Sequence, residues 1–463
     1  MVALENISRV YFVGIGGIGM SALARYFIKM GVDVAGYDST PTPLTALLEK
    51  EGASIHFTDD ITKIPIEYKS SSDATLVVYT PAISEDHSEL QFFRNNGFEV
   101  VKRAQALGVV TENRITAAVA GTHGKTTTST MLAHLLCQNP SGCDAFLGGI
   151  SKNYANNLLL SDRGSNIIVV EADEFDRSFL SLSPNIAIIT SIDADHLDIF
   201  GTYDEVKKAF IQFVGRIKPN GVAIVKKGLE WVTADRPDIK TYTYSATEEA
   251  DFMAIDMSLY KGFNVFNLKT PHGTIDEITL GVMGRYNTEN AVAAAAAAIA
   301  LGTKTENILG GLESFKGVSR RFDLRFSGKK SVYIDDYAHH PEELRAAIES
   351  ARYMFPERKI TGIFQPHLYS RTRDFADDFA KSLSLLDELI ITDIYPAREE
   401  PIEGITHDTI LSKVTCPVKL HCNLNSVIDH VRSSNIDVLL TMGAGSIDKI
   451  AEGIVTALKD KEQ

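Results

Sequence analysis

Short apolar runs alternate with amphipathic stretches along almost the whole chain. Val10–Val13, Thr75–Tyr79, Ile115–Ala120, Asn166–Val170, Asn185–Thr190 and Gly221–Val225 are brief and bounded by turn formers, which predicts buried strands. Helical spacing separates them. Ser21 to Lys29 follows the first run, and Met131, Leu132, Leu135 and Leu136 mark an apolar face after the third. The alternation resumes later, with strands expected at Ser331–Ile334, Ile360–Phe364, Glu388–Thr392 and Asp437–Thr441. Strands interleaved with helices predict an α/β fold with mostly parallel sheets. Two stretches depart from this rhythm. Tyr242–Leu280 alternates with frequent turn residues and predicts an antiparallel addition. Ala291–Ala300 is nearly all alanine, the best helix former, and predicts a tightly packed helix.

A chain of 463 residues exceeds what one core organises. Three domains are expected: residues 1–103, Rossmann-like; residues 104–318, a P-loop-type sheet carrying the antiparallel addition; and residues 319–463, again Rossmann-like. The second boundary is expected near Gly317-Val318-Ser319. No window is apolar enough for membrane insertion, and Met1–Val10 lacks a secretory pattern. The four cysteines (Cys137, Cys143, Cys416, Cys422) show no C-x-x-C spacing, so reduced thiols and a cytoplasmic setting are expected. A net charge of −14 argues against non-specific nucleic-acid binding, which needs a basic face. It does not argue against a small anionic substrate, because local loops set the field in a cleft.

The chemistry concentrates after strands. Ile115–Ala120 runs into Gly121-Thr122-His123-Gly124-Lys125-Thr126-Thr127 and then a helix. That order makes a phosphate cradle of loop N–H groups and a positive helix end. Lys125 can reach β/γ oxygens, and the Thr126 hydroxyl can ligate Mg²⁺. The common P-loop would place glycine five positions before Gly124, where Val119 stands. This is a shorter G-T-x-G-K-T variant.

A second glycine loop, Gly14-Ile15-Gly16-Gly17-Ile18-Gly19-Met20, follows the first strand, and Asp38 closes the next one. This is the layout of a dinucleotide fingerprint, with Asp38 placed for a ribose hydroxyl. It suits NAD or any other pyrophosphate at a helix N-terminus. The turn Thr80-Pro81-Ala82 could supply further N–H groups to the same diphosphate.

Two acidic clusters follow strands: Glu171-Ala172-Asp173-Glu174, and Asp193 through His196 to Asp198. Glu171 and His196 are the candidate magnesium ligands. Asp173 and Asp198 read equally well as solvated charges or helix caps. Asn287 and Asn290 offer amides to a base edge just ahead of the alanine helix, though Asn287 could instead be an N-cap. Arg320-Arg321 could clamp a γ-phosphate. Asp335-Asp336 follows a strand where a carboxylate could bind a ribose, and His339-His340 beside it reads as structural. Arg371 could bind an incoming carboxylate.

Together, G-x-G-G-x-G-M, G-T-H-G-K-T-T, E-A-D-E, D-x-D-H-L-D, N-x-x-N-A, R-R-F and D-D-Y-A-H-H-P occur in order from Tyr11 to the segment ending at Ser446. The chain thereby resembles the Mur ligases, ATP-dependent amide-forming enzymes of peptidoglycan synthesis. The resemblance implies a first domain for a UDP-sugar, a central domain for ATP, and a third that helps bind the amino acid. It implies UDP-N-acetylmuramate and L-alanine as substrates, with ATP and Mg²⁺ as cofactors. It assigns Gly14–Met20 to the UDP diphosphate. Gly121–Thr127, with Lys125 at their centre, go to the ATP phosphates, and Thr126, Glu171 and His196 to magnesium. It assigns Asn287 and Asn290 to adenine, Arg321 to phosphate and Asp336 to ribose. His367 and Arg371 fall to the amino acid, and His196 is among the possible general bases. Two positions depart from the family pattern: Tyr286 stands where histidine is usual, and Leu368 where arginine often follows the third-domain histidine.

Overall fold

The computed structural model describes residues 7–70, 74–194, 197–397 and 399–462, and main chain only at Leu197 and Asp198. The chain folds into two compact units. One comprises Met1–Ile255, Asn267–Ile278 and Asn290–Lys316, and the other Asp256–Phe266, Thr279–Glu289 and Gly317–Gln463. Three sheets carry the architecture, in the α/β, mostly parallel form that the alternation predicts.

In the first sheet, Arg9–Val13 is central. Asp33–Tyr37 and Thr75–Tyr79 pair with it in parallel on either side, and Ser54–His56 and Glu99–Lys102 form the edges. The chain therefore leaves the central strand in opposite directions on its two sides. A crevice opens at such a switch point, beyond the carboxyl ends of the strands. Gly14 and Thr80, the residues after two of these neighbouring strands, both meet it. The helix Ile18–Lys29 begins three residues earlier than its apolar spacing indicates, with Gly17 as N-cap.

The ten-stranded second sheet repeats this logic. Ile115–Ala120 lies between Ile167–Glu171 and Ile186–Ile189, all parallel. Val222–Lys226 and Lys240–Ser245 continue the parallel run, and Phe252–Tyr260 joins in parallel at Tyr244↔Phe252. The expected antiparallel addition therefore does not begin at Tyr242. Polar–apolar alternation reports one solvated face but not strand direction. A hairpin absent from the sequence-based expectation, Asp144–Ser151 with Asn156–Leu159, pairs antiparallel beyond Ile167–Glu171.

One apolar core runs beneath both sheets of this unit, from Val10 and Phe27 to Phe146, Phe210 and Val225. Tyr26 packs against Phe146 at 5.6 Å between ring centres. Buried Asn157 donates from Nδ2 to the Ile18 carbonyl at 2.6 Å. The glycine-loop helix is thus seated on the central sheet as well as on its own.

The second unit holds a six-stranded sheet, with Val438–Met442 between Val332–Asp336 and Ile360–Phe364 in parallel. Only Asp323–Ser327 pairs antiparallel among its described strands. The alanine-rich helix spans Arg285–Ala300, so Asn287 and Asn290 lie inside it, not ahead of it. Gly284, at φ +98°, makes the turn that starts it. The polar stretch Arg285–Asn290 hid that start, because it has no apolar periodicity. All four cysteines are free. No helix among the described residues is long and apolar enough to cross a membrane.

Candidate functional site

Each glycine loop is shaped by close approaches that only glycine permits. Gly14 has φ +89°, and a Cβ there would sit 2.6 Å from the Thr80 methyl. Thr80 is thereby held against the first loop, while Pro81 and Ala82 remain exposed in its turn. Gly16 donates its N–H to Asp38 Oδ2 at 2.7 Å, and Thr40 donates to Oδ1 at 3.1 Å. Asp38 therefore braces the loop, with one donor on each of its oxygens. A Cβ on Gly19 would meet the Arg103 guanidinium at 2.9 Å. Arg103 went unread in the sequence, although it opens the helix after the strand Glu99–Lys102. A cation beside a helix N-terminus suits a diphosphate.

The phosphate loop is clamped from the neighbouring strand. Gly121 (φ +140°) leaves no room for a Cβ, which would lie 2.0 Å from Thr190 Oγ1. Thr190 in turn donates to the His123 carbonyl at 2.5 Å. The His123 N–H and the Thr122 hydroxyl meet Ser191 Oγ, both at 2.8 Å. The Thr122 hydroxyl also meets Asp193 Oδ2 at 3.0 Å. Gly124, in the left-handed region, caps the helix Lys125–Cys137. Its open side faces Asn290 Oδ1, which accepts from the Thr128 hydroxyl at 3.2 Å. Asn290 thus supports the phosphate loop from the alanine-rich helix. Thr126 and Thr127 are buried in the first turn.

Lys125 folds back over its own loop. Its Nζ donates to the Gly121 carbonyl at 2.6 Å and to Glu174 Oε1 at 2.8 Å. Burial acts to lower its pKa, but Glu174, Asp173 and Glu171 outweigh burial and push it up to about 12. The ammonium is a fixed positive charge in a shielded place, where Coulomb interactions are strong. Glu174, fully buried, is the partner that sequence reasoning missed.

Glu171 ends its strand, and its Oε2 accepts the Gly148 N–H at 3.1 Å. A Cβ at Gly148 would overlap that carboxylate at 2.1 Å. A cavity of about 280 Å³ lies here. Gly17, Gly19 and Arg103 line one side, and Gly148, Glu171 and Asp173 the other. The Gly17–Met20 loop and the acidic corner open into one space. Carboxylate oxygens suit a hard ion such as Mg²⁺, and Glu171 and Asp173 present them. His196 lies outside the described residues.

In the second unit, Asp336 takes three donors: the Phe322 and Ala338 N–H groups, each at 2.7 Å, and the Tyr286 hydroxyl at 3.2 Å. Burial pushes its carboxyl up to about 6, although Arg321 and the two N–H groups oppose the rise. Arg320 and Arg321 both lie over the Tyr337 ring, each 5.1 Å from its centre. The backbone at Arg320 (φ +62°) and Phe322 (φ +48°) is left-handed on both sides of Arg321. Such strain persists only where the surroundings impose it. Asn287 donates from Nδ2 to the Met283 carbonyl at 2.6 Å, so its amide closes the turn before its helix. His367 stacks on Tyr395 and faces His339. Burial, then His339 and Arg371, lowers its pKa to about 4, so the ring is neutral. Arg321, Asp336, His367 and Arg371 thus gather around Tyr337 and His339.

Three family models match consecutive stretches of the chain. They are the Mur ligase family catalytic domain over residues 9–114, the Mur ligase middle domain over 119–298, and the Mur ligase glutamate ligase domain over 320–445. The chain is 52% identical to UDP-N-acetylmuramate–L-alanine ligase of Parabacteroides distasonis, covering 97% of each. It is 46% identical to the protein of that name from Christiangramia forsetii, covering 99% of each. Among solved structures it is similar to the UDP-N-acetylmuramate–alanine ligase of Thermotoga maritima. There the TM-score is 0.79, with 29% identity, 98% of this chain and 99% of that one covered.

Proposed function

Because the chain belongs to the Mur ligase family, we propose that it joins L-alanine to the lactyl carboxylate of UDP-N-acetylmuramate at the expense of ATP, a step of peptidoglycan synthesis. The carrying observation is the single cavity bordered by the Gly17–Met20 loop and by Glu171 and Asp173. A sugar diphosphate held at the first loop would direct its far end toward phosphate-handling groups.

The chemistry asks for positioning and charge more than for covalent catalysis. The substrate carboxylate attacks the γ-phosphoryl group, giving an acyl phosphate and ADP. The neutral amine of L-alanine then attacks the acyl carbon, and phosphate leaves. Lys125 and the N–H groups at Gly124–Thr127 would hold the transferring phosphates, and Arg103 the UDP diphosphate. Thr126, Glu171 and His196 would hold Mg²⁺, which when bound neutralises developing phosphoryl charge. Arg321 would add charge to the nucleotide phosphates, Asp336 would take its ribose, and Asn287 and Asn290 the adenine side. His367 and Arg371 would receive the amino acid. The division into residues 1–103, 104–318 and 319–463 is supported by the three separate sheets, and by resemblance to the family these parts would serve UDP-sugar, ATP and amino acid in turn. The free thiols fit a cytoplasmic setting.

The test is phosphate release from ATP by the purified protein with UDP-N-acetylmuramate, adding amino acids singly. Release that needs both the UDP-sugar and L-alanine is expected. Release with neither required, or with no amino acid effective, would remove the ligase assignment.

A further inference from the structure

Two thiols that the ligase chemistry does not use meet at the far end of the phosphate-loop helix. Cys137 closes the helix Lys125–Cys137, and Cys143 stands just before the strand Asp144–Ser151. Their Sγ atoms lie 3.9 Å apart. The turn between them holds them there. The Asn139 N–H donates to the Leu136 carbonyl at 3.0 Å, and the Gly142 N–H to the Asn139 carbonyl at 3.1 Å. Gly142, at φ +63°, turns the chain back. Ser161 Oγ donates to the Ser141 carbonyl at 2.6 Å, and Ser165 Oγ to the Gly142 carbonyl at 2.9 Å. The two thiols are unlike. Cys143 is buried, with its Sγ 3.5 Å from the Ala133 carbonyl. Cys137 is half-buried, and both line a cavity of about 610 Å³ together with Lys29, Tyr154 and Arg163.

We propose that Cys137 and Cys143 are a redox-active pair, which a hydroperoxide oxidises to an intramolecular disulfide, Cys137 reacting first and Cys143 resolving. The last turn of a helix disfavours a thiolate. Here hydrogen bonding from the Cys143 thiol, helped by the Tyr154 hydroxyl, the Cys143 N–H and Arg163, outweighs that and burial, and holds the Cys137 thiol below its ordinary range. The bond to Cys137, and burial, push the Cys143 thiol up. An accessible thiolate beside a buried, protonated resolving thiol is the arrangement of a redox sensor.

In the first step the Cys137 sulfur attacks one peroxide oxygen. An S–O bond forms, the O–O bond breaks, and the hydroxide that leaves takes a proton to become water. In the second step the Cys143 thiol gives up its proton and its sulfur attacks the Cys137 sulfenic acid. The S–S bond forms, the S–O bond breaks, and the hydroxyl leaves with that proton as water. Two thiols lose two electrons, and one peroxide becomes two waters. The product would tie the helix that carries Lys125 to the strand that carries Gly148. Disulfides of this reversible kind are the ones met in reducing compartments.

The experiment exposes the full, reduced chain to hydrogen peroxide, then denatures, alkylates and digests it with trypsin for mass spectrometry. Both thiols fall in one fragment, Thr126–Lys152. That fragment should emerge unalkylated and lighter by two hydrogens, and dithiothreitol should restore its alkylation. Its thiols should disappear about tenfold faster than those of Cys416 and Cys422. Cys143→Ser should halt at the sulfenic acid, trapped as a dimedone adduct on Cys137. Cys137→Ser should leave Cys143 open to alkylation. Equal rates of loss for all four thiols would overturn the proposal. So would a fragment that stays fully alkylated, or a disulfide from Cys137 to any other thiol. The parent chain carries the main readout, so a variant that fails to fold does not remove the test. Phosphate release plays no part in these readouts, so they stand apart from the ligase assignment.

Discussion

Lys125 Nζ is held 2.8 Å from the buried carboxylate of Glu174. The pair sits under the phosphate loop, with the Gly121 and Thr122 carbonyls completing the shell of the ammonium. Removing either partner strands the other, but the two losses differ in kind. Lys125→Ala should lower turnover about a thousandfold or more, since it deletes charge from the proposed phosphoryl-transfer site. Titration of UDP-N-acetylmuramate by calorimetry should show binding near the parent value. Near-normal phosphate release from this variant would contradict the role given to Lys125.

Glu174→Ala acts on the fold first. It leaves a buried ammonium without its main counter-charge, which costs about 3 kcal/mol. A clear fall in the urea midpoint is expected, larger than for an exposed carboxylate such as Glu342→Ala.

Gly148→Ala tests whether Glu171 serves the metal. The new methyl group would overlap the carboxylate of Glu171, and a flexible side chain yields before backbone does. The fold should survive, while the Mg²⁺ concentration for half-maximal phosphate release rises about tenfold. An unchanged magnesium requirement would separate Glu171 from the ion.

Asp336 carries a pH signature. Its carboxyl rises from an ordinary 3.8 to about 6, chiefly through burial. A raised acid pKa means the folded state holds the proton longer than the unfolded state. The contribution of Asp336 to stability is therefore greatest below pH 3.8. It declines as pH climbs toward 6 and is level beyond that. Asp336→Asn should flatten that stretch of the stability profile. In the parent, KM for ATP should rise as pH falls below 6, because a protonated Asp336 is a weaker acceptor for a ribose hydroxyl.

Tyr286→Phe refines the same point. It deletes the hydroxyl donated to Asp336 at 3.2 Å, a net loss of about 1 kcal/mol. The ionised carboxylate loses a donor, so the acid limb of KM for ATP should shift upward in pH. Tyr286→His, which restores the residue usual in the family, should keep the limb close to the parent. A limb that ignores Tyr286→Phe would leave the phenol a packing role only.

The phosphate loop was legible because strand, glycine turn and helix are contiguous, and Ile115–Ala120 lies where its apolar run indicates. The Gly14 loop and its switch-point strand were legible for the same reason. What escaped depended on contacts between distant segments. Glu174 finds Lys125 across 49 positions of chain, and Arg103 approaches Gly19 from the start of the helix after the strand Glu99–Lys102. The approach of the Asn290 amide oxygen to Gly124 escaped as well, because the helix it rides starts six residues before the alanine run. The direction of Lys240–Ser245 was hidden too, since alternation does not encode direction. His421 and Asp393 come together only through the parallel register of two strands, which no local pattern carries.

Asn157 under the Ile18 carbonyl, and Phe146 against Tyr26, carry a lesson for anyone building chimeras in this family. A cut at residue 103 would look natural from the sheets alone. It would, however, transplant the helix Ile18–Lys29 without the hairpin that seats it. A donor chain given only a new first domain would present its Gly14–Met20 loop at an altered height over Glu171. The transferable piece is the first domain together with Asp144–Leu159, and exchanges that respect that graft line should keep the two phosphate-handling loops in step.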